Sequence, residues 1–226
     1  MSGLRGQLLE VLVEPGLAPD DLRRRMMGVL EQPQSPRRMT YEEFLAWADE
    51  DSHAEWVDGE VRVSSPASYE HQDIGSFLLS ILRAFVETRH LGMVLGAPFQ
   101  MRLSLSSREP DLLFLANAHL DRRTATYLDG PADVVIEILS PESAARDRGE
   151  KFYEYEAAGI PEYWLIDPLR ERAEFYQLGG DGHYRPALPE AEGCFTSRVI
   201  PGFTLRLAWL WQRPTVLEAL RALKVV

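Results

Sequence analysis

Hydrophobic positions along the chain repeat with two different periods, and the changes of period outline the elements. Leu4, Leu8 and Val11/Leu12 recur at helical spacing until Pro15 interrupts them, and a second short helix is expected over 20–31. Pro33 and Pro36 mark a linker, so residues 1–35 read as an N-terminal helical extension and 36–226 as the main domain with a C-terminal helix. That domain opens on Thr40-Tyr41-Glu42-Glu43, a capping box before Phe44, Leu45 and Trp47. Asp58-Gly59 lies between two alternating runs, 54–57 and 60–63, and predicts a hairpin. Ile74, Leu78, Ile81/Leu82 and Phe85 then stripe one face of a long helix that should end near His90, before Gly92.

Beyond Gly92 the pattern turns to strands, expected at 93–95, 99–105, 111–115 and 134–139. Ser143 is the expected N-cap of one helix that carries Lys151, and Gly159 its C-terminal stop. A strand at 163–166 ends at Asp167-Pro168. Residues 173–177 and the glycine-rich turn at 179–182 continue as a hairpin, and Thr215-Val216-Leu217-Glu218 caps the last helix. This order predicts an α/β (α+β) domain with a mixed central sheet flanked by helices.

Composition narrows the function classes. No apolar run approaches the roughly 18 residues that a membrane span needs, and the short stretch over 8–13 is interrupted by Glu10, unlike a secretory signal. A cytoplasmic location is therefore the default expectation. A single cysteine, Cys194, excludes an intramolecular disulfide and a cysteine metal cluster. The net charge is −11, whereas a protein that grips nucleic acid by its backbone usually shows a basic footprint. Arg23–Arg25, Arg37-Arg38 and Arg122-Arg123 read as solvated surface. Any nucleic-acid contact must then be local, metal-assisted or shared with another subunit.

Against this background two carboxylates are out of place. Residues 132–139 are almost continuously apolar, typical of a strand buried on both faces, and Glu137 lies inside that run. Period two puts Val135, Glu137 and Leu139 on one face and Val134, Ile136 and Ile138 on the other. A carboxylate there is costly unless a cation compensates it, or unless it lies at a sheet edge or pairs with a core Arg or Lys. Asp111 follows Pro110 at the start of another apolar strand, where an acid is often only a turn former. If the two strands are neighbours, both acids sit at one end of the sheet. Two hard oxygen ligands with a nearby carbonyl suit Mg²⁺ or Mn²⁺. Lys151 lies on the helix after the Glu137 strand. It either folds back over the acids or makes an ordinary surface pair with Asp147, four residues earlier.

At these residues the sequence resembles the Uma-two family of endonucleases in the PD-(D/E)XK, restriction-endonuclease-like superfamily. The resemblance runs from about Met39 to Leu207. It rests on Thr40 to Leu45, Ala54-Glu55-Trp56-Val57-Asp58-Gly59-Glu60, His71, Glu109-Pro110-Asp111, Val135-Ile136-Glu137-Ile138-Leu139-Ser140-Pro141, Asp147 with Lys151, Tyr155, and Gly159 to Pro168. It implies a mixed sheet with helices on both faces and a metal site on the central strands. Asp111 takes the Pro-Asp position and Glu137 the (D/E) position, with the Ile138 carbonyl in the metal shell. Leu139 stands where the superfamily signature has lysine, and Lys151 looks like the migrated substitute. Glu55 resembles the acid that an early element contributes to such sites, against the alternative of a solvent-facing strand residue. His71 is a candidate for phosphate or second-metal contact, against a plain polar residue at a helix start.

The expected function is metal-dependent hydrolysis of phosphodiester bonds, by analogy in DNA. Two alternatives stand beside it: a nuclease-fold binding module without catalysis, and a small-phosphoester hydrolase that needs no basic groove. A homodimer is expected if both strands of a duplex are cut, with the N-terminal extension and Leu217, Leu220 and Leu223 as interface candidates. No P-loop, serine elbow, dinucleotide fingerprint or zinc-type histidine spacing is present.

Overall fold

A computed structural model describes residues 38–48, 54–63, 67–190 and 192–226. Met39–Val226 forms one compact unit; the extension expected over 1–35 lies outside the described residues. Helix α1 (Tyr41–Trp47) starts as its sequence dictates: Thr40 Oγ1 accepts from the Glu43 N–H at 3.2 Å, and the Glu43 carboxylate accepts from the Thr40 N–H at 2.8 Å. Strands β1 (Ala54–Val57) and β2 (Glu60–Val63) pair through Asp58-Gly59, with φ of 45° and 85°. Two positive φ angles match the right-handed twist of a two-residue hairpin, which asparagine, aspartate and glycine tolerate best. The long helix α2 (Tyr69–Thr88) buries Ile74, Phe77, Leu78, Ile81, Leu82 and Phe85.

The strands that follow depart from expectation in one place. The run 99–105 is not one strand. Strand β4 (Gln100–Arg102) turns back, with Leu103 N donating to Ser106 O at 2.7 Å, into β5 (Ser106–Arg108). Met101, Leu103 and Leu105 continue the alternation, but Leu105 is 71% exposed at the bend while Ser106, Ser107 and Arg108 are buried. Polar partners inside the molecule, rather than apolar periodicity, fix this register. Further along come β3 (Gly92–Gly96), which precedes β4, then β6 (Leu112–Ala116), a 3₁₀ turn (Asn117–Arg122), β7 (Tyr127–Asp129) and β8 (Val134–Ile138).

A second correction concerns the helix after β8. Ser143 is already helical and caps nothing; it exchanges hydrogen bonds with Ser140, each hydroxyl accepting the other's N–H at 3.1 Å. The helix then breaks at Gly149 into α3 (Ala144–Arg148) and α4 (Glu150–Ala157). A Cβ at Gly149 would lie 2.9 Å from the Ala145 carbonyl, closer than a side chain tolerates. Across this break Asp147, Lys151 and Tyr155, spaced i, i+4, i+8, are all buried. Gly159 ends the segment with φ of 78°, as expected. Strands β9 (Glu162–Asp167), β10 (Arg172–Leu178), β11 (Tyr184–Pro186), β12 (Cys194–Thr196) and β13 (Thr204–Arg206) follow, then α5 (Ala208–Trp211) and α6 (Val216–Ala222).

The strands form a mixed six-stranded sheet, β11-β10-β9-β8-β6-β3, a five-stranded sheet, β2-β1-β5-β4-β7, and the small pair β12-β13. Strands β8 and β9 are parallel, so α3 and α4 are their crossover. Val134, Ile136 and Ile138 pack with α2 and Trp164 on one face, while Val135 and Leu139 pack with Tyr155, Tyr163 and Leu165 on the other. This division of faces is the predicted one. Leu220 and Leu223 of the C-terminal segment pack against their own domain, and Leu217 is half exposed.

Glu162 secures the far end of β9. It is fully buried and accepts from Arg198 N at 2.6 Å, Ser197 Oγ at 2.8 Å, Gln177 Nε2 at 3.0 Å and Trp164 Nε1 at 3.1 Å. Glu162→Ala strands these donors and should cost about 3 kcal/mol. Urea unfolding measures this directly, and an unchanged midpoint would contradict the role.

Candidate active site

Strands β6 and β8 run antiparallel with Leu112 opposite Ile136 and Leu113 opposite Val135. One further step in that register brings Asp111 opposite Glu137. The Asp111 side chain is pinned there, because its Oδ2 accepts from the Ile138 N–H at 2.6 Å. Its Oδ1 lies 3.2 Å from Nε2 of His71, on the first turn of α2. Ser68 caps that helix by accepting from the His71 N–H at 3.2 Å, which fixes where the imidazole emerges. Glu137 is 4% exposed and Asp111 is part-exposed, so Asp111 and His71 form the open side of the site and Glu137 its floor.

A buried carboxylate needs a cation within reach. Helix α4 supplies one: Lys151 Nζ lies 2.9 Å from Glu137 Oε1, 3.0 Å from Glu55 Oε1 and 3.4 Å from Asp147 Oδ1. Tyr155 Oη donates to the same Glu137 Oε1 at 2.8 Å. Glu55, on β1, is held in turn by Arg108, whose Nη1 lies 3.2 Å from Glu55 Oε2 and whose Nη2 reaches Glu150 at 2.6 Å and Glu154 at 2.5 Å. Ser106 Oγ also donates to Glu154, and Arg62 binds Glu150 at 2.8 Å. Arg108 is completely buried. It therefore works as a strut between the five-stranded sheet and α4.

These contacts set the protonation of the group. Burial alone would raise Glu55, but the charges of Lys151 and Arg108 outweigh it and hold the carboxyl down to about 2. For Glu137 the balance is reversed. Burial raises it, Lys151 opposes, and the neighbouring charges of Asp147, Asp111 and Glu55 add to the rise, leaving its carboxyl well above the usual range. Burial works against a charged Lys151, but Glu137, Glu55 and Asp147 together hold the ammonium firmly protonated. His71 is raised because Asp111, helped by the backbone of Ile138, overcomes the effect of burial.

The arrangement brings together all of the predicted side chains: Asp111, Glu137, Lys151, Glu55 and His71. Two simpler readings are overturned. Glu55 is buried, not solvent-facing, and the Asp147–Lys151 contact is interior, not a surface pair. Three participants had no predicted role: Arg108, Tyr155 and Asp147 as a site group. Spacing i, i+4, i+8 from Asp147 through Tyr155 was a legible signal for two of them, while nothing local to Arg108 announces its burial.

Among the described residues no three His, Cys, Asp or Glu side chains converge as a ready-made metal cage. Two strand carboxylates nevertheless fit a hexacoordinate oxygen-seeking ion, which commonly takes one or two carboxylates and keeps several waters. The hydrogen bonds to Glu137 both end on Oε1. Its Oε2 has no donor among the described residues, and the excess of acids around it favours an added cation.

The profile of the Uma2 family, described as "Putative restriction endonuclease", matches residues 41–208, and the chain belongs to that family. A solved structure described as "a putative nuclease belonging to DUF820 from Anabaena variabilis" is similar at a TM-score of 0.67 and 18% identity, covering 77% of this chain and 98% of the other. At that identity the likeness shows the fold, which is restriction-endonuclease-like. None of the curated proteins matches the sequence.

The protonation pattern makes a stability prediction with a definite sign. A carboxyl whose folded pKa is raised holds its proton where the unfolded chain releases it, so stability falls as pH climbs above the ordinary value near 4.5. Glu137→Gln escapes this loss. Without divalent ions, its melting temperature should match wild type near pH 5 and exceed it by roughly 2–4 °C at pH 8. Glu55 acts in the opposite sense: its contribution is present above about 4.5 and disappears as pH falls towards about 2. A Glu137→Gln advantage that is constant across pH would contradict the assignment.

Proposed function

We propose that the chain is a Mg²⁺- or Mn²⁺-dependent phosphodiesterase acting on nucleic acid, with DNA as the preferred substrate. The observation that carries this reading is the pairing of Asp111 with Glu137 across adjacent strands, with Lys151 bonded to Glu137 from the next helix. Membership of the Uma2 family supports it.

Asp111 and Glu137 would hold the ion, with the Ile138 carbonyl completing the protein's share of the shell. When bound, the ion polarises a phosphoryl oxygen and makes water more acidic. Lys151 stays protonated among its three carboxylates, so it orients water and offsets negative charge rather than accepting a proton. Water forms the new bond to phosphorus, the ester P–O bond breaks, the proton from water passes to a carboxylate or to solvent, and the leaving ester oxygen takes a proton from solvent to depart as an alcohol. His71, on the open side, contacts the incoming phosphate and keeps the Asp111 carboxylate oriented. Glu55 acts through Lys151 as a positioning residue.

One observation favours a non-catalytic reading: the Lys151 side chain is only 4% exposed and already saturated by carboxylates. Calorimetry with Mn²⁺ separates the two. A catalytic site binds the ion with dependence on both Asp111 and Glu137; a binding module shows no such heat.

The activity test uses supercoiled plasmid, single-stranded DNA and bis(p-nitrophenyl) phosphate with Mg²⁺ or Mn²⁺. Asp111→Asn and Glu137→Gln should each lose about 100-fold or more in rate, about 2.7 kcal/mol of barrier. Lys151→Ala should lose less in rate and destabilise the fold, because it leaves buried carboxylates without their counter-ion. Full cleavage by both acid variants would overturn the assignment. Turnover of the small diester without any DNA cleavage would move the reading to a small-phosphoester hydrolase.

A further inference from the structure

The carboxylates of the site create a problem that the residues named so far do not solve. Glu55, Glu137 and Asp147 gather around one ammonium, that of Lys151, and Asp111 adds its charge beside Glu137. A phosphodiester approaching the open side meets a negative field, and the charge of Lys151 is already shared among three carboxylates. Arg108 is equally committed to Glu55, Glu150 and Glu154.

Four buried side-chain polar atoms lack a hydrogen-bond partner among the described residues: His71 Nδ1, Arg146 Nε, Asp147 Oδ1 and Arg89 Nη1. Such atoms are uncommon, and a cluster of them marks a place where a ligand, ion or water completes the bonding. His71 and Asp147 are residues of this site, and Arg146 adjoins Asp147 in the chain. Arg146 is the informative member. It precedes Asp147 on α3 and is half-buried, and its guanidinium makes no ion pair or hydrogen bond among the described residues, although Glu55 lies within range of its charge. The neighbouring Arg148, by contrast, is bound to Asp167 at 3.1 Å and Glu174 at 2.8 Å. A planar guanidinium left open beside an acidic site matches the paired oxygens of a phosphate.

We infer that Arg146 contacts the non-bridging oxygens of the substrate's phosphodiester, supplying the local positive charge that an otherwise acidic site lacks. The inference rests on the phosphodiesterase reading for its substrate class but is tested by binding, which does not require turnover. Arg146 thus adds a second anion contact to that of His71, with Lys151 serving the carboxylates.

The experiment is fluorescence anisotropy with a phosphorothioate-linked duplex oligonucleotide in Mn²⁺, for wild type, Arg146→Ala, Arg146→Lys and the exposed control Arg198→Ala. Melting temperature is recorded for each. Arg146→Ala should weaken binding about 10-fold and reduce the salt dependence by about one ion. Arg146→Lys should recover part of the affinity, and Arg198→Ala should bind as wild type. Unchanged affinity in Arg146→Ala, an equal loss in Arg198→Ala, or no binding by the wild type would each overturn the inference. Cleavage of the natural duplex is followed in parallel. If the wild type binds but never cleaves, the catalytic reading fails while the binding comparison still decides the role of Arg146.

Discussion

A charge placed inside a sheet has to be answered by another charge, and the fold is organised around one such case. Glu137 lies on β8 among side chains that are otherwise apolar, and the crossover to β9 must return a cation to it. That requirement accounts for the shape of the crossover. A straight helix from Ser143 would be simpler, but the chain breaks at Gly149 and resumes, with Asp147, Lys151 and Tyr155 all turned inward. Glu55 arrives from the other sheet to share the same ammonium, and Arg108 ties Glu55 back to α4. The two sheets are thus joined by a chain of alternating charges that passes through the site.

The same arrangement explains how an acidic protein can present itself to a polyanion. Several of the 35 acids behind the net charge of −11 are interior, with Arg108 and Lys151 as buried counter-ions. What is part-exposed at the open side is Asp111 with His71. On the proposed function, a few contacts at the phosphate would take the place of a broad basic surface. Such contacts release few counter-ions, so binding should depend less on salt than in proteins that coat the backbone.

Much of this was legible in the sequence, for identifiable reasons. Glu137 stood out because period two exposes any residue that violates its face, and the face assignments of Val134 to Leu139 hold in the structure. The capping boxes at Thr40 and Thr215 and the Asp58-Gly59 turn are local chemistry, and local chemistry reads directly from sequence. The burial of Glu55 and Arg108 is set by partners about 50 residues apart in the chain, which no periodicity encodes. The same is true of the β4–β5 reversal, where apolar alternation through Leu105 points one way and the buried polar pairings of Ser106 to Arg108 decide the other. The division into two sheets follows from those pairings and was equally hidden.

The two buried glutamates of the site stand in opposite balance. Glu55 is comfortable as an anion, with two positive groups in contact, whereas Glu137 receives one ammonium shared three ways and feels three other carboxylates. Its anion is therefore incompletely compensated, and under the proposed function that deficit is what a divalent ion would supply. A site with enough lysine and arginine to neutralise Glu137 fully would be more stable and would hold the ion less tightly. Leu139, at the position where the resemblance implies a lysine, goes the opposite way: the strand brings no cation, and Lys151, arriving from the helix, serves three acids at once. On the proposed function, the cost in stability and a capacity for an ion would be two consequences of one imbalance of charge.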